Sequence, residues 1–177
     1  MKNGKFLIMV MMLVALLIGG CTAEENKVET TKPPVQEVQT EQTFTVYRTA
    51  EPDLVAEKYT VKDGGKAVYE NALKALVEKK PLDDKLTNEF PQDTKVLGVV
   101  IKDGVASANF SKELLKVSGG SLHEMLIVGS IVNTLTEFPE IKKVQILVEG
   151  KKIETLNGHM DLTDPLERDE SLMPKKK

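Results

Sequence analysis

The stretch from Gly120 to Gly150, GSLHEMLIVGSIVNTLTEFPEIKKVQILVEG, most constrains the fold, because it joins a helix pattern to a strand pattern. At 100° per residue, its large apolar residues cover more than half of the helix circumference. The remaining polar residues form a narrow stripe of His123, Ser130, Thr134 and Glu137. We therefore expect a helix that other elements cover on most sides.

Local signals predict where this helix begins and ends. Ser121 and Glu124 have the spacing of a capping box, in which each side chain bonds the backbone amide of the other, so the helix should begin near Leu122. Pro139 ends it, because proline lacks an N–H and disfavours helical geometry in the preceding residue. The next apolar residues alternate as in a strand with one buried face: Val144, Ile146 and Val148.

Residues 1–20 have the three parts of a secretory signal peptide. Lys2 and Lys5 precede an apolar run from Phe6 to Ile18, and two glycines follow. The run of about 13 residues would be roughly 20 Å long as a helix, which is short for a hydrocarbon core of about 30 Å. We therefore predict a cleaved signal peptide.

The next residues predict a lipid anchor. Ile18-Gly19-Gly20-Cys21 resembles the lipobox of bacterial lipoproteins, which implies diacylglyceryl transfer to the Cys21 thiol and cleavage before it. At about 0.8 kcal/mol per buried methylene, the two acyl chains of a diacylglycerol make a stable anchor. We expect the mature protein on the extracytoplasmic face of a cell membrane. The alternative is an uncleaved anchor in which Cys21, the single cysteine, is incidental.

Residues 21–42 are predicted to be a disordered linker. They contain no aromatic residue and include Pro33-Pro34, so they cannot bury enough apolar surface to offset the entropy of ordering. A flexible coil of about 21 residues spans roughly 25 Å, and an extended one roughly 60 Å. We expect this linker to hold one folded domain, residues 43–170, away from the membrane, with a basic tail at 171–177.

The folded domain is predicted to be α+β. The predicted elements are strands over 43–49 and 54–61, a helix over 66–79, strands over 94–101 and 105–110, a helical turn within 111–117, the long helix, its following strand and a return strand over 152–156. Asp103-Gly104 is typical of a type I′ hairpin, which needs positive φ at both central residues. This order favours a mainly antiparallel sheet with two helices packed on one face.

Several segments resemble the GerMN family of sporulation and germination lipoproteins. They are TVYRTAEPDLVAEKYTV, ALKALVEK, FPQDTKVLGVVIKDGVASANFSKEL and IVNTLTEFPEIKKVQILVEGKKIETLNGHMDLTDPLERD, and the resemblance covers about Phe44 to Asp169. It implies a fold similar to the ring-building modules of secretion and sporulation channels, with no known catalytic residues. Other members carry two copies or an added immunoglobulin-like domain, whereas this chain carries a single copy.

Catalytic chemistry has little support in the sequence. Ser107 and Ser130 lack a Gly-x-Ser-x-Gly context, and Cys21 is expected to be acylated. No glycine-rich loop has the spacing of a phosphate site. A formal net charge of −3 gives no reason to expect nucleic acid as a partner. We predict no enzymatic activity and no cofactor.

Two clusters leave alternatives open. His159, Asp161 and Asp164 could share a divalent ion. Alternatively, the segment is a turn in which the aspartates bond their own backbone. Lys142-Lys143 and Lys151-Lys152 are interpreted as a basic sheet edge that discourages unwanted strand pairing. His123 is expected to be solvated.

These observations favour a non-catalytic, lipid-anchored module that makes protein contacts in cell-envelope assembly linked to sporulation or germination. The partner would be another protein or a second copy, through sheet or helix packing. The alternative is a lipoprotein that binds cell-wall glycan or a small ligand. Aromatic residues, whose ring faces stack on sugars, make up only 5% of the chain, which argues against glycan binding.

Overall fold

The computed structural model describes residues 41–62 and 67–175. The elements are β1 Glu41–Ala50, β2 Asp53–Lys62, α1 Val68–Glu78, β3 Val96–Lys102, β4 Val105–Phe110, a 3₁₀ turn Lys112–Lys116, α2 Ser121–Leu135, β5 Lys143–Val148, β6 Lys151–Lys152, β7 Leu166–Glu167 and a second 3₁₀ turn Glu170–Leu172. The predicted order of elements is confirmed as far as β6, whereas β7 and the second 3₁₀ turn were not predicted. The predicted signal peptide, Cys21 and the linker as far as residue 40 lie outside the described residues.

The strands form two sheets. β1 and β2 pair along their whole length as an antiparallel hairpin, and the other strands form a sheet in the order β3-β4-β5-β6, with β7 also beside β5. β3 and β4 are antiparallel, whereas β4 and β5 are parallel because α2 carries the chain back to the start of the sheet. The predicted α+β class, with two helices and mostly antiparallel pairing, is confirmed, but the strands form two sheets where a single sheet was expected.

The helices contact both the hairpin and the larger sheet. This arrangement explains why α2 is covered on most sides, as its sequence predicts: every residue from Leu126 to Leu135 is buried. Two residues of the predicted polar stripe are buried as well. Thr134 Oγ1 accepts a hydrogen bond from the Tyr47 amide at 2.9 Å, and Ser130 Oγ donates to the Ile127 carbonyl at 2.7 Å.

The predicted capping box at Ser121 and Glu124 is wrong. The N-cap of α2 is Gly120, and no side chain bonds the helix at that position. Glu124 is fully buried and accepts hydrogen bonds from residues 155–159 instead. The spacing fits a capping box, but a distant loop offers this carboxylate more donors than the cap amide does.

Two turns follow their sequence signals. Asp103 and Gly104 have φ values of 52° and 78°, which confirms the predicted type I′ hairpin. Glu149 and Gly150, at 50° and 74°, make the same kind of turn between β5 and β6. The return strand is shorter than predicted, because pairing with β5 stops after Lys152.

The predicted basic edge is wrong at Lys143. This residue lies on β5, between β4 and β7, and its Nζ is 2.8 Å from Glu167 Oε1. Lys142 Nζ donates to the Pro139 carbonyl at 2.6 Å. Only Lys151 and Lys152, on β6, lie on the outermost strand of the sheet order. The topology therefore leaves the opposite edge strand, β3, with a single lysine at its end.

Candidate interaction surface

Arg48 of β1 is a buried cation, 1% exposed, that joins the hairpin to α1. Its Nε donates to Glu57 Oε2 at 2.8 Å, its Nη1 to the Leu76 carbonyl at 2.8 Å, and its Nη2 to the Ala75 carbonyl at 2.7 Å and Tyr59 Oη at 2.9 Å. The last turn of α1 has no basic residue of its own. Arg48 therefore supplies the positive charge that stabilises the carbonyl end of that helix.

Glu57 of β2 extends the same network to the loop after α1. Its Oε1 accepts hydrogen bonds from the amides of Leu82 at 2.6 Å and Asp83 at 3.0 Å. Burial alone would raise the pKa of Glu57, but hydrogen bonds from Asp83, Arg48 and Leu82 hold the pKa below its ordinary value. Both charges are thus committed to internal bonds, so this pair supports the fold and leaves no group free for acid–base chemistry.

A second polar cluster fastens the C-terminal strap, which we define as residues 168–173. Arg168 Nη2 donates to Tyr47 Oη at 2.6 Å and lies 2.7 Å from Glu137 Oε1. The Asn133 side chain donates to the Asp169 carbonyl at 2.8 Å and accepts from its amide at 3.0 Å. The strap therefore bonds both the hairpin and α2. Its buried residue Leu172 lies within residues 171–177, the predicted basic tail.

Glu124 holds the loop of residues 155–159. Its Oε1 accepts from Thr155 Oγ1 at 2.7 Å and from the Leu156 and Asn157 amides at 3.0 and 3.1 Å, while its Oε2 accepts from the His159 amide at 3.0 Å. Burial would raise the pKa of Glu124, but these bonds lower it. The sequence offered no sign of this contact, because its partners lie about thirty residues away and donate mainly through the backbone.

The three residues predicted as possible ion ligands, His159, Asp161 and Asp164, lie at the end of this loop and just after it. Asp161 Oδ1 accepts from the Thr163 amide at 2.9 Å and from Thr163 Oγ1 at 2.7 Å, which confirms the Asx-turn alternative at this residue. These bonds also lower the pKa of Asp161. Across residues 41–62 and 67–175, no three His, Cys, Asp or Glu side chains are grouped so that they could hold a metal ion.

The other candidate residues are placed as follows. Ser130 is buried within α2, where its hydroxyl donates to a helix carbonyl, and Ser107 lies in the middle of β4. His123 is partly exposed, and its Nδ1 lies 3.6 Å from Glu89 Oε2. The interior bond of the Ser130 hydroxyl is a structural one, which is the role expected of a serine that faces the core.

A cleft of about 640 Å³ lies between the hairpin and the strap. Its lining includes Tyr47, Leu54, Val55 and Met173. Tyr47 is the aromatic residue of this lining, but it is only 6% exposed, and the Arg168 guanidinium lies 5.0 Å from its ring centroid. The cleft therefore offers no free aromatic face on which a sugar ring could stack.

The β3 edge, which we define as residues 98–102, is the surface best suited to another protein chain. Among the described strands, β3 pairs with β4 alone. Val100 is 68% exposed, Leu97 beside the edge is 48% exposed, and Lys102 is the single charged residue of the strand. Natural sheets usually protect such an edge with charges, proline or bulges. Here the one irregularity in the ladder lies between Val96 and Gly98, which has a φ of 153°, so the strand is regular from Val99 to Lys102.

None of the helices in the described ranges combines the length and apolar character that crossing a membrane requires.

The chain is similar to proteins of a known family. Residues 38–154 match the family model described as Germane, sporulation and spore germination. Over 106 residues the chain is 34% identical to the spore germination protein GerM of Bacillus subtilis (strain 168), which covers 57% of this chain and 28% of that protein. The chain thus spans much less than two thirds of this curated relative.

Three solved structures share the fold. The first GerMN domain of Bacillus subtilis GerM is 29% identical with a TM-score of 0.62, covering 72% of this chain and 98% of that one. The tandem GerMN domains of the same protein are 27% identical with a TM-score of 0.63, covering 72% of this chain and 46% of that one. A candidate lipoprotein of Clostridium perfringens is 26% identical with a TM-score of 0.52, covering 73% and 89%.

Proposed function

The chain belongs to the Germane family of sporulation and spore germination, and from that premise we propose that it is a non-catalytic, lipid-anchored module that acts through contacts with other proteins of the cell envelope. The resemblance to GerMN domains that the sequence predicts is confirmed. The chain covers nearly all of a single GerMN domain but less than half of a tandem pair, so it carries one GerMN-type unit in its described part.

One contrast carries this proposal. The buried charged residues of the described part, Arg48, Glu57 and Glu124, are engaged in internal hydrogen bonds, whereas β3 pairs with a single described strand and leaves Val100 68% exposed. A reactive site needs a positioned nucleophile or base that substrate can reach. An edge strand with a single charged residue, Lys102, instead favours pairing with another chain.

The membrane anchor rests on the lipobox-like segment that ends at Cys21, and a solved relative is a candidate lipoprotein. Its expected location is the extracytoplasmic face of the membrane. We expect mass spectrometry of the mature N-terminal peptide to find a diacylglyceryl group on Cys21 and no residues before it. The Cys21→Ser variant should leave the membrane fraction. An unmodified Cys21, or an intact Met1, would contradict the anchor.

Photo-cross-linking in cells tests the contact surface. A photoreactive amino acid at position 100 of the full-length chain should form a covalent adduct with protein. The matched control is position 82, because Leu82 is equally exposed, 67% against 68% for Val100, but lies in a loop. No adduct at position 100, or equal adducts at both positions, would refute the proposal.

Glycan binding is less well supported, because the described cleft lacks a free aromatic face. Full-length protein in detergent that is retained by purified peptidoglycan and shows no adduct at position 100 would favour that alternative.

A further inference from the structure

We propose that the β3 edge pairs with the β3 edge of a second copy of this chain, antiparallel and centred on Val100. This inference rests on the proposed function, since it names the partner of the same surface.

The first support is the pattern of hydrogen bonds between β3 and β4, which shows which β3 residues bond to β4 and which point away from it. The two-residue turn at Asp103-Gly104 makes Lys102 and Val105 a hydrogen-bonded pair. Bonded and non-bonded pairs alternate along an antiparallel ladder, so Val100 is bonded to Ser107 on β4. The N–H and C=O groups of Val99 and Ile101 consequently point away from β4. These are the groups that an added strand would bond.

The second support is that only one two-fold symmetric pairing forms its backbone bonds entirely from the N–H and C=O groups of Val99 and Ile101. With the two-fold axis at Val100, Val99 of one copy faces Ile101 of the second, and the two exchange both backbone bonds. Moving the axis by one residue would require Leu97 or Asp103 as a pairing residue. Leu97 lies at the irregularity in the ladder, and Asp103 has a φ of 52°, which is not extended.

The third support is the match of side chains on the exposed face. In this register Val100 faces Val100 of the second copy as a non-bonded pair, with Cα atoms about 4.5 Å apart, so each valine covers the other. Lys102 faces Gly98, which has no side chain to obstruct the lysine methylenes. The two Lys102 residues lie about 14 Å apart along the strands, so like charges do not meet. The edge is therefore complementary to itself, as a two-fold contact requires.

Pairing of two short strands buries little area, which is typical of weak association in dilute solution. The expected lipid anchor confines both copies to one surface and raises their effective concentration. The contact should therefore form on the membrane.

Cysteine cross-linking tests this register in the full-length, membrane-bound chain. Under mild oxidation, Val100→Cys should give a disulfide-linked dimer, because Cα atoms of a non-bonded pair lie within disulfide range. Lys102→Cys is the matched control, on the same face of the same strand but too far from its symmetry mate. The unsubstituted chain controls for Cys21. We expect at least ten-fold more dimer from Val100→Cys than from Lys102→Cys.

The outcomes separate this inference from the proposed function. Equal dimer yields from the two variants, or none from Val100→Cys, would overturn the pairing. If Val100→Cys gives no dimer but the photoreactive residue at position 100 captures a different protein, the pairing is wrong and the proposed function stands. If position 100 yields neither dimer nor adduct, both are wrong.

Discussion

Leu172 lies so close to Gly129 that a Cβ atom at position 129 would be 2.3 Å from Leu172 Cδ1 and 3.3 Å from Leu54 Cδ1. Glycine inside a helix costs about 1 kcal/mol relative to alanine. The cost is offset here because the missing Cβ lets the strap pack directly on α2.

Gly129→Ala should therefore destabilise the protein, although alanine is the better helix former. Leu172 and Leu54 are both buried, so their side chains have little room to move away, and overpacking of this kind costs about 1–3 kcal/mol against a gain of about 1 kcal/mol in helix propensity. Urea unfolding followed by circular dichroism measures the difference. In a Leu172→Ala background the same substitution should become neutral or stabilising. A Gly129→Ala variant as stable as the unsubstituted chain would contradict the close packing.

Arg48→Met should be among the most damaging single substitutions. Removing one partner of a buried ion pair costs about 3–5 kcal/mol, because the remaining charge is left without compensation. The α1 carbonyls that Arg48 bonds would lose their donor as well. Lys62→Met is the control, since its partner Glu41 and Lys62 itself are both exposed and such pairs contribute at most about 1 kcal/mol. Similar losses in unfolding free energy for the two variants would contradict the larger contribution expected of the buried Arg48–Glu57 pair.

Glu124 should make stability depend on pH. Because its pKa is lowered in the folded state, its contribution is fully present above the ordinary value of 4.5 and is lost as the pH falls below it. Glu124→Gln should cost about 1–3 kcal/mol at pH 7, since an amide cannot accept from all four donors. The gap between variant and parent should shrink as the pH falls from 5 towards 3. Urea midpoints across this range measure it.

The control for Glu124→Gln is Glu154→Gln, which replaces an exposed glutamate of the neighbouring segment and is measured over the same pH range. A constant gap between Glu124→Gln and the parent at every pH would refute the role of the Glu124 charge.

Arg168→Gln should loosen the strap without unfolding the domain. The charged hydrogen bonds to Tyr47 and Glu137 would be lost, at a cost of about 1–2 kcal/mol. Hydrogen exchange should accelerate in residues 168–173 and remain unchanged in α1. Lys143→Gln, which removes an exposed ion pair with Glu167, should leave the strap unchanged. Equal acceleration across the whole domain would show that the strap is not a separate unit.

The candidate surface was partly predictable. Asp103-Gly104 placed the β3–β4 hairpin correctly, because that dipeptide tolerates the positive φ values of the turn. No local sequence pattern indicated that β4 would be a central strand and β3 an edge strand. That depends on β5 returning beside β4 through α2, which is a property of the whole chain path.

The sequence by itself determined the elements, the wide apolar coverage of α2 and the family, since periodicity, turn residues and family motifs are properties of contiguous segments. Only the tertiary structure decided the partners of Glu124 and Arg48. Each residue fits a local sequence pattern: Glu124 fits a capping box, and Arg48 fits the alternation of a strand. Burial removed water as an alternative and left each charge to the donors or acceptors that the fold brought within reach. The open side of β3 was decided in the same way, by which strands the fold placed next to it.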